Sequence, residues 1–173
     1  MLQKIHASKQ SDLAAIGSLY PQAFPDEDLV PLVRALLNEP KAALSLVATV
    51  GSALVGHVLF TTGSVTGSNG PVALLGPLAV SPSSQRRGIG SALVRAGLEQ
   101  LQREGFAQVF VLGDPAYYGR FGFATESNVS APYELPPEWA TAWQSVILGP
   151  NTRRAAGRLV LPQPWMQPAL WAP

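Results

Sequence analysis

The chain contains no cysteine, and it has only two histidines among its 173 residues. The missing cysteine excludes disulfide bonds, zinc sites with thiolate ligands and a cysteine nucleophile. The two histidines, His6 and His57, are too few for a histidine-rich metal site. We therefore expect chemistry without a metal ion and without a covalent enzyme intermediate.

Charge is also scarce in this sequence. Charged residues make up 13% of the chain, about half of the usual share, and the formal net charge is +1. A nearly neutral chain is a poor partner for nucleic acid, so we expect no nucleic-acid binding. A surface with few charges leaves room for an apolar interface, which favours a homodimer as the form to test.

No hydrophobic run is long enough to cross a membrane, and the first residues lack the apolar core of a signal peptide. We therefore expect a cytoplasmic protein that does not bind membranes. The length favours a single domain that spans residues 1–173. Residues 144–173 are expected to form two closing strands, Gln144–Leu148 and Arg158–Leu161, and then an irregular tail rich in proline and tryptophan.

The most informative stretch is residues 71–123. Val72–Val80 is apolar at nearly every position, which predicts a strand that is buried on both faces of a sheet. The dipeptide Gly76-Pro77 lies inside this strand, and proline cannot donate a hydrogen bond to a neighbouring strand. We expect a bulge there, which would separate two strands and leave backbone groups free for a ligand.

A helix is predicted from Gly88 to about Arg103, and its first turn has the features of an anion site. Backbone N–H groups in a first helical turn are unpaired and carry partial positive charge. Gly88 and Gly90 let a bulky anion approach the backbone, because glycine has no Cβ. Arg86 and Arg87 add charge, so the pattern predicts a phosphate-bearing ligand.

Two common nucleotide motifs do not fit this loop. A P-loop needs Lys-Ser or Lys-Thr after its last glycine, and a dinucleotide fingerprint needs a glycine where this chain has Leu93. The order Gln85-Arg86-Arg87-Gly88-Ile89-Gly90 instead resembles the acetyl-CoA signature of the GNAT acetyltransferase superfamily, Gln/Arg-x-x-Gly-x-Gly/Ala. Tyr118-Gly119-Arg120-Phe121-Gly122-Phe123 resembles the second landmark of that family, a tyrosine four residues before Gly-Phe.

The whole chain resembles one subgroup of these enzymes, whose members are mostly predicted N-acetyltransferases without an assigned acceptor. The resemblance implies a mixed α/β fold (α+β), with a central, mostly antiparallel twisted sheet, a bulged central strand and helices on both faces. It also implies transfer of an acetyl group from acetyl-CoA to a primary amine by direct attack. The near-neutral charge favours a small molecule as the acceptor. A non-catalytic acyl-CoA sensor and transfer of a longer acyl group are the alternatives.

The resemblance also implies the roles of individual residues. The backbone at Leu78 and Val80 would hold the pantetheine arm and the thioester, and the loop would hold the pyrophosphate. Tyr118 would protonate the departing CoA thiolate as a catalytic acid; the alternative is a ring that packs on the cofactor while the hydroxyl meets water. Tyr117 is expected to pack beside the cofactor. The predicted cofactor-binding residues are Leu78, Ala79, Val80, Gln85, Arg86, Arg87, Gly88, Ile89, Gly90, Ser91, Asp114 and Tyr117.

The general base is not assigned by the sequence. Some members of the superfamily use a glutamate on the central strand, but Val72–Val80 contains no carboxylate. His57 lies inside an apolar run and is expected to be a core residue. Asp114 precedes a proline, a pattern typical of a turn or helix start. The candidate bases are Glu27, Asp28, Asp114, Glu126 and Glu134.

The remaining chain predicts further elements around the central stretch. The four tryptophans, Trp139, Trp143, Trp165 and Trp171, are expected to anchor loop and tail segments on the body, and the lining of an acceptor pocket is the alternative. The segments are a strand at Leu2–Ala7, a helix from Ser11 or Asp12 with a break between Pro21 and Pro25, a helix with an acidic start at Asp26–Asp28 that ends at Asn38–Pro40, a hairpin of Ala43–Val50 and Ala53–Thr62, and loops at Gly63–Gly70 and Ala124–Trp143.

Overall fold

The computed structural model describes residues 2–39, 41–150 and 152–173. Short 3-10 turns occur at Gln10–Asp12, Pro82–Ser84, Gly119–Phe121, Pro137–Trp139, Gln163–Trp165 and Pro168–Trp171. The helices and strands are β1 (Gln3–Ala7), α1 (Leu13–Ala23), α2 (Val30–Leu37), β2 (Ala43–Val50), β3 (Ala53–Val65), β4 (Val72–Val80), α3 (Ile89–Arg103), β5 (Gln108–Leu112), α4 (Pro115–Tyr118), β6 (Ala124–Thr125), β7 (Val129–Ser130), β8 (Trp143–Ile147) and β9 (Gly157–Val160).

The chain forms two compact units. The first comprises the residues up to Phe60 together with Gly76–Gly97, and the second comprises Thr61–Leu75 and Leu98–Pro173. The strands β3 and β4 and the helix α3 each contribute a part to both units. The strand order is β1-β2-β3-β4 in the first unit and β4-β5-β8-β6 in the second, where β9 also pairs with β3 and β7 pairs with β9. The single-domain expectation stays a prediction.

In the first unit, helices lie on both faces of β3. His57 contacts the hydroxyl of Tyr20 in α1, and Phe60 lies against Gly97 in α3. His57 and Phe60 are three residues apart, so their side chains point to opposite faces of the strand. The N–H of Ser81 donates to Val55 O at 2.8 Å, which places the start of β3 beside the end of β4.

The second unit combines two parallel pairs, β4 with β5 and β7 with β9, with antiparallel pairs. Strand β4 runs parallel to β5, with Ala73 opposite Val109. Strand β8 is antiparallel to β5 and to β6, and β9 is antiparallel to β3. The predicted fold class, a mixed α/β fold with a mostly antiparallel sheet, is confirmed.

The pairing of β4 with β5 ends at the predicted interruption. The register runs from Ala73 to Leu75, whereas β4 itself continues to Val80. The next residue, Gly76, has a φ of 142°, and the peptide bond to Pro77 is cis. The last five residues of β4 therefore extend beyond its parallel pairing, as expected for a bulged central strand.

One prediction for the helices is confirmed and one was wrong in detail. Helix α1 ends at Ala23, inside the break that was expected between Pro21 and Pro25. Pro21 lies in its last turn, where it removes one backbone hydrogen bond of the helix. Helix α2 begins at Val30, so residues 26–28 precede its first turn and do not provide its acidic start. Pro40, at the predicted end of this helix, lies outside the described residues.

Two predicted loops contain strands. Strand β3 continues to Val65, because Ser64 and Val65 pair with Val160 and Leu159 of β9. The segment 124–143 contains β6 and β7, each only two residues long. Both differences arise from pairing with distant segments, which a local sequence pattern does not reveal.

The aromatic residues of the last part of the chain are packed within the second unit. Trp165 is buried and donates from Nε1 to Thr61 Oγ1 at 2.9 Å. Trp171 donates from Nε1 to Trp165 O at 3.0 Å. Trp143 stacks on Phe110 with 5.6 Å between ring centroids, so three of the tryptophans act as anchors in the core of this unit.

Candidate functional site

The end of β4 is tied to the loop that follows it. Leu78, Ala79 and Val80 are the last three residues of the strand; Ala79 is buried, and the other two are half-buried. Gln85 donates from its side-chain Nε2 to Val80 O at 3.1 Å. This hydrogen bond closes the turn between β4 and the helix that follows, and it holds the start of the loop against the end of the strand.

The loop turns sharply at two positions with left-handed backbone. Arg86 has a φ of 64°, which is uncommon for a residue with a side chain, and Gly88 has a φ of 80°. A Cβ at Gly88 would meet nothing within 4 Å, so the glycine serves the backbone conformation and leaves open space. The side chains of Arg86 and Arg87 are exposed at this turn.

Helix α3 begins directly after this turn, and its start is packed firmly on β3. A Cβ at Gly56 of β3 would lie only 2.9 Å from Leu93 and 3.0 Å from Ile89, so the helix approaches the strand closely. The N–H of Ala92 donates to Gly88 O at 3.0 Å, which leaves the amides before Ala92 outside the helical hydrogen-bond series. These amides and two exposed guanidinium groups form an environment that attracts anions.

The predicted site residues of the second unit lie around the short helix α4. Asp114 caps this helix, because its Oδ1 accepts a hydrogen bond from the N–H of Ala116 at 2.9 Å. The ring of Tyr117 lies 4.3 Å from the guanidinium carbon of Arg120, whose Nε also donates to Tyr117 O. Asp114 thus has the role typical of Asp-Pro, and Tyr117 packs against a cation.

Tyr118 is held by aromatic neighbours and by a glycine. Its ring centroid lies 4.9 Å from that of Tyr117 and 5.7 Å from that of Phe123. A Cβ at Gly113 would lie 2.5 Å from Tyr118 Cε2, so the ring occupies the space that a side chain would need. Burial, with a smaller contribution from Tyr117, raises the pKa of Tyr118 well above 10. The phenol therefore keeps its proton at neutral pH.

The hydroxyl of Tyr118 is not engaged by its own surroundings. Among residues 2–39, 41–150 and 152–173 it has no hydrogen-bond partner, in contrast to the hydroxyl of Tyr20. A protonated phenol of this kind can donate to a group on a ligand.

The candidate base Glu126 is fully engaged in a structural network. Its Oε1 accepts from Gln108 Nε2 at 3.0 Å and from Ser145 Oγ at 2.6 Å. Its Oε2 accepts from the N–H groups of Asn128 and Val129 at 2.7 and 2.9 Å. The carboxylate is buried and holds the segment between β6 and β7 in place, so it is poorly suited to take a proton from a ligand.

The other carboxylates named from the sequence are exposed. Glu27 and Asp28 line a cavity of about 300 Å³ together with Phe24 and Pro25. Glu134 lies on the surface, and within the described part of the chain it makes no hydrogen bond. None of these contacts distinguishes one carboxylate as the base.

His57 is a core residue, as the sequence predicts. It is fully buried, with Nδ1 at 2.7 Å from Tyr20 Oη and Nε2 at 2.8 Å from Ser45 Oγ. Burial lowers the pKa of His57 to about 3, so the imidazole is neutral at pH 7. One ring nitrogen then donates and the other accepts, and both hydrogen bonds are satisfied.

Three features of these surroundings were missed from the sequence. Arg120 follows Tyr117 by three residues, a helical spacing that could have indicated their contact. The need for glycine at Gly113 and the hydrogen bond between Tyr20 and His57 have no local signal, because they depend on distant segments or on the path of a turn. Within the described ranges no group of three or more histidine, aspartate and glutamate residues could hold a metal ion. No described helix has the length and apolar character needed to cross a membrane.

Comparison with known proteins places this chain in a family. The model of the acetyltransferase (GNAT) family matches residues 13–123. Over 156 residues the chain is 38% identical to YjhQ, an uncharacterized N-acetyltransferase of Escherichia coli strain K12. The match covers 85% of this chain and 86% of YjhQ. It is 33% identical over 129 residues to YhbS, another uncharacterized N-acetyltransferase of the same strain. That match covers 74% of this chain and 75% of YhbS.

Two solved structures resemble the fold along nearly the whole chain. The crystal structure of Escherichia coli YhbS in complex with CoA has a TM-score of 0.86 and 27% identity, and the match covers 95% of this chain and 92% of the other. A GNAT family acetyltransferase from Brucella melitensis in complex with acetyl-CoA has a TM-score of 0.78 and 28% identity, and the match covers 95% and 98%. The chain belongs to the acetyltransferase (GNAT) family and is an acyltransferase.

Proposed function

We propose that this protein transfers an acetyl group from acetyl-CoA to a primary amine of a small molecule by direct attack of the amine on the thioester. The observation that carries the proposal is the turn with left-handed Arg86 and Gly88, which leads from the end of β4 into the first turn of α3. The CoA and acetyl-CoA in the two similar solved structures support the choice of cofactor.

In this proposal, the loop binds the pyrophosphate of CoA. The unpaired amides at the start of α3 donate to phosphate oxygens, and Arg86 and Arg87 add charge-assisted hydrogen bonds. Gln85 acts indirectly, since its hydrogen bond to Val80 O holds the turn. Ile89 anchors the helix start on β3, Gly90 leaves the backbone open, and Ser91 offers a hydroxyl.

The end of β4 holds the reacting part of the cofactor. Gly76–Val80 extends beyond the parallel pairing with β5, so backbone groups at Leu78 and Val80 are suited to bind the pantetheine arm and the thioester. Ala79, between them, is buried and keeps the strand in the sheet. A backbone cradle of this kind does not require a particular side chain.

The chemical step breaks the bond between carbon and sulfur. The neutral amine attacks the carbonyl carbon, the CoA sulfur departs with the electron pair, and Tyr118 gives the sulfur its phenolic proton. The pKa of Tyr118, which burial raises, means that the phenol carries its proton at neutral pH and has one to donate. The nitrogen of the attacking amine loses one proton to water or to a base that is not assigned, and the Tyr118 phenolate takes a proton back from water.

Thermal unfolding with four cofactors tests the binding part of the proposal. At a hundredfold excess over its dissociation constant, a ligand stabilises the folded state by about 2.7 kcal/mol. For a chain of this length we expect acetyl-CoA and CoA to raise Tm by about 5–10 °C. ATP and NAD should have little effect, and equal shifts with all four would contradict a CoA-specific site.

A non-catalytic acyl-CoA sensor is the second candidate. Two observations favour it: β4 has no carboxylate, and the buried Glu126 is already fully hydrogen-bonded. Release of free CoA thiol with a panel of primary amines separates the two functions, since a sensor releases none. The same assay with propionyl-CoA and succinyl-CoA tests the longer acyl groups.

The homodimer and the cytoplasmic location stay predictions, to be tested by mass in solution and by cell fractionation.

A further inference from the structure

A second cavity lies between helices α1 and α2 in the first unit. Its volume is about 210 Å³. Apolar side chains from both helices, among them Ile16, Val33 and Leu37, line it. The ring of Tyr20 is a further part of the wall, while its hydroxyl is bound to His57. The cavity is therefore mostly apolar, and it is formed by two regular helices.

The cavity exists partly because α1 has a glycine at this level. Glycine in a helix is less favourable than alanine, so its presence inside α1 is not explained by helix formation. A Cβ at Gly17 would meet only Arg34 Nη2, at 3.8 Å, and would therefore not clash. Packing between the helices does not require glycine, and its effect is to leave space beside the guanidinium group.

Arg34 brings a positive charge to this apolar cavity. Its side chain is exposed, and in the described ranges no carboxylate forms an ion pair with it. Asn38, which also lines the cavity, follows four residues later and lies on the same side of α2. The planar guanidinium group matches a carboxylate better than other cations do, because two of its N–H groups can donate in parallel.

We propose that this cavity binds a small carboxylic acid with a short apolar chain, with the carboxylate on Arg34 and the chain between Ile16 and Leu37. The size fits such a ligand, since an apolar cavity of about 150 Å³ accommodates benzene. A cavity of 210 Å³ is thus large enough for about eight non-hydrogen atoms, as in hexanoate. All of the residues involved belong to α1, α2 and the residue after α2, so the proposal does not depend on the acetyl-transfer reaction.

Titration of the full chain with four probes tests the proposal. Backbone amide NMR signals of Gly17 and its neighbours report binding at the cavity, and calorimetry gives the affinity. Hexanoate should bind saturably, with acetate much weaker because each buried methylene group contributes about fourfold in affinity. Hexylamine should bind at least tenfold more weakly than hexanoate, because its charge is repelled by Arg34, and hexanol should lie between them.

Two variants test the assigned contacts. Arg34→Gln should lower hexanoate affinity by about 10-fold to 100-fold and leave hexanol binding nearly unchanged. Arg153→Gln is the matched control, since it removes an exposed arginine that does not line this cavity, and it should have no effect. Gly17→Leu should fill the space and abolish binding of both hexanoate and hexanol. If Arg34→Gln does not fold, Arg34→Lys keeps the charge but not the paired N–H groups and should give a smaller fall.

Three outcomes would overturn the proposal: no saturable binding of hexanoate, equal affinity for hexanoate and hexylamine, or signal changes that avoid α1 and α2. The titration is repeated with CoA present. If hexanoate binds and CoA does not, the result contradicts the acetyl-transfer proposal alone. The opposite result would contradict the carboxylate site alone.

Discussion

Phe60 of β3 occupies the space that a side chain at Gly97 of α3 would need. A Cβ at Gly97 would come closer to three ring atoms of Phe60 than real carbon atoms approach. Phe60 is fully buried, so its ring has little freedom to move away. A glycine in the middle of α3 therefore lets the helix lie directly on this ring, and the close packing offsets the poor helix propensity of glycine.

Gly97→Ala should destabilise the protein, although alanine is the better helix former. We expect the free energy of unfolding to fall by about 1–3 kcal/mol, as for other overpacked cores. Gly17→Ala is the matched control, because its Cβ would be 3.8 Å from the nearest atom and should stabilise α1 by about 0.5–1 kcal/mol. Denaturant unfolding of both variants gives the comparison, and equal effects would show that the Phe60 contact does not require glycine.

The elements that the sequence predicted well are those with a strong local signal. Helix α3 was expected from Gly88 to about Arg103 and begins one residue later, because glycine and arginine residues mark its start and Gly105 its end. The end of β3 was placed too early, at Thr62. Its last residues are paired with β9, about a hundred residues later in the chain, and nothing in the local pattern reports that pairing.

The candidate site divides in the same way. The loop from Gln85 to Ser91 is continuous in sequence, so its glycines and arginines could be interpreted together before the fold was known. The engagement of Glu126 could not be predicted, because its partners Gln108 and Ser145 come from two other strands. The sequence therefore identified where a phosphate could bind, but it could not show which carboxylates are already occupied.

The contact between Gly113 and Tyr118 gives a second prediction. Gly113→Ala would push the tyrosine ring from its position, because the new Cβ would lie 2.5 Å from Cε2. We expect kcat to fall at least tenfold, since a displaced acid donates poorly. Gly119→Ala, whose Cβ would meet nothing within 4 Å, should retain activity. Similar kcat values for the two variants would show that turnover does not depend on the position of the Tyr118 ring.

Replacement of the phenol itself tests the catalytic acid. Tyr118→Phe keeps the ring and its contacts with Tyr117 and Phe123, and it removes only the hydroxyl. We expect kcat to fall by about 100-fold to 10,000-fold, with the dissociation constant of acetyl-CoA nearly unchanged. Steady-state kinetics and calorimetry measure the two quantities separately. A variant with full turnover would end the assignment of Tyr118 as the acid.

The loop arginines should affect affinity more than turnover. Arg86→Ala or Arg87→Ala removes a charge-assisted hydrogen bond worth about 1.5–3 kcal/mol, which lowers CoA affinity by about 10-fold to 100-fold. Arg86→Gly is a useful companion, because glycine adopts the observed φ of 64° without strain. If both Arg86 variants lose affinity equally, the guanidinium group is responsible. Arg153→Ala is the control, and unchanged binding in all loop variants would remove these arginines from the site.

His57 should make the stability of the protein sensitive to mild acid. Its pKa is about 3 in the folded state and 6.5 in the unfolded chain, so between these values only the unfolded state binds the proton. Stability is therefore complete above pH 6.5 and is lost as the pH falls, by about 1.4 kcal/mol per pH unit.

Unfolding free energies at about pH 7.5 and about pH 5 test this linkage. Between the two, His57 should contribute a loss of about 2 kcal/mol. His57→Gln has no group that titrates in this range, so its stability should change less than that of the wild type by the same amount. Carboxylates titrate in both proteins and cancel in the difference. A wild type and a variant with the same pH dependence would show that the buried imidazole is protonated as easily in the folded protein as in water.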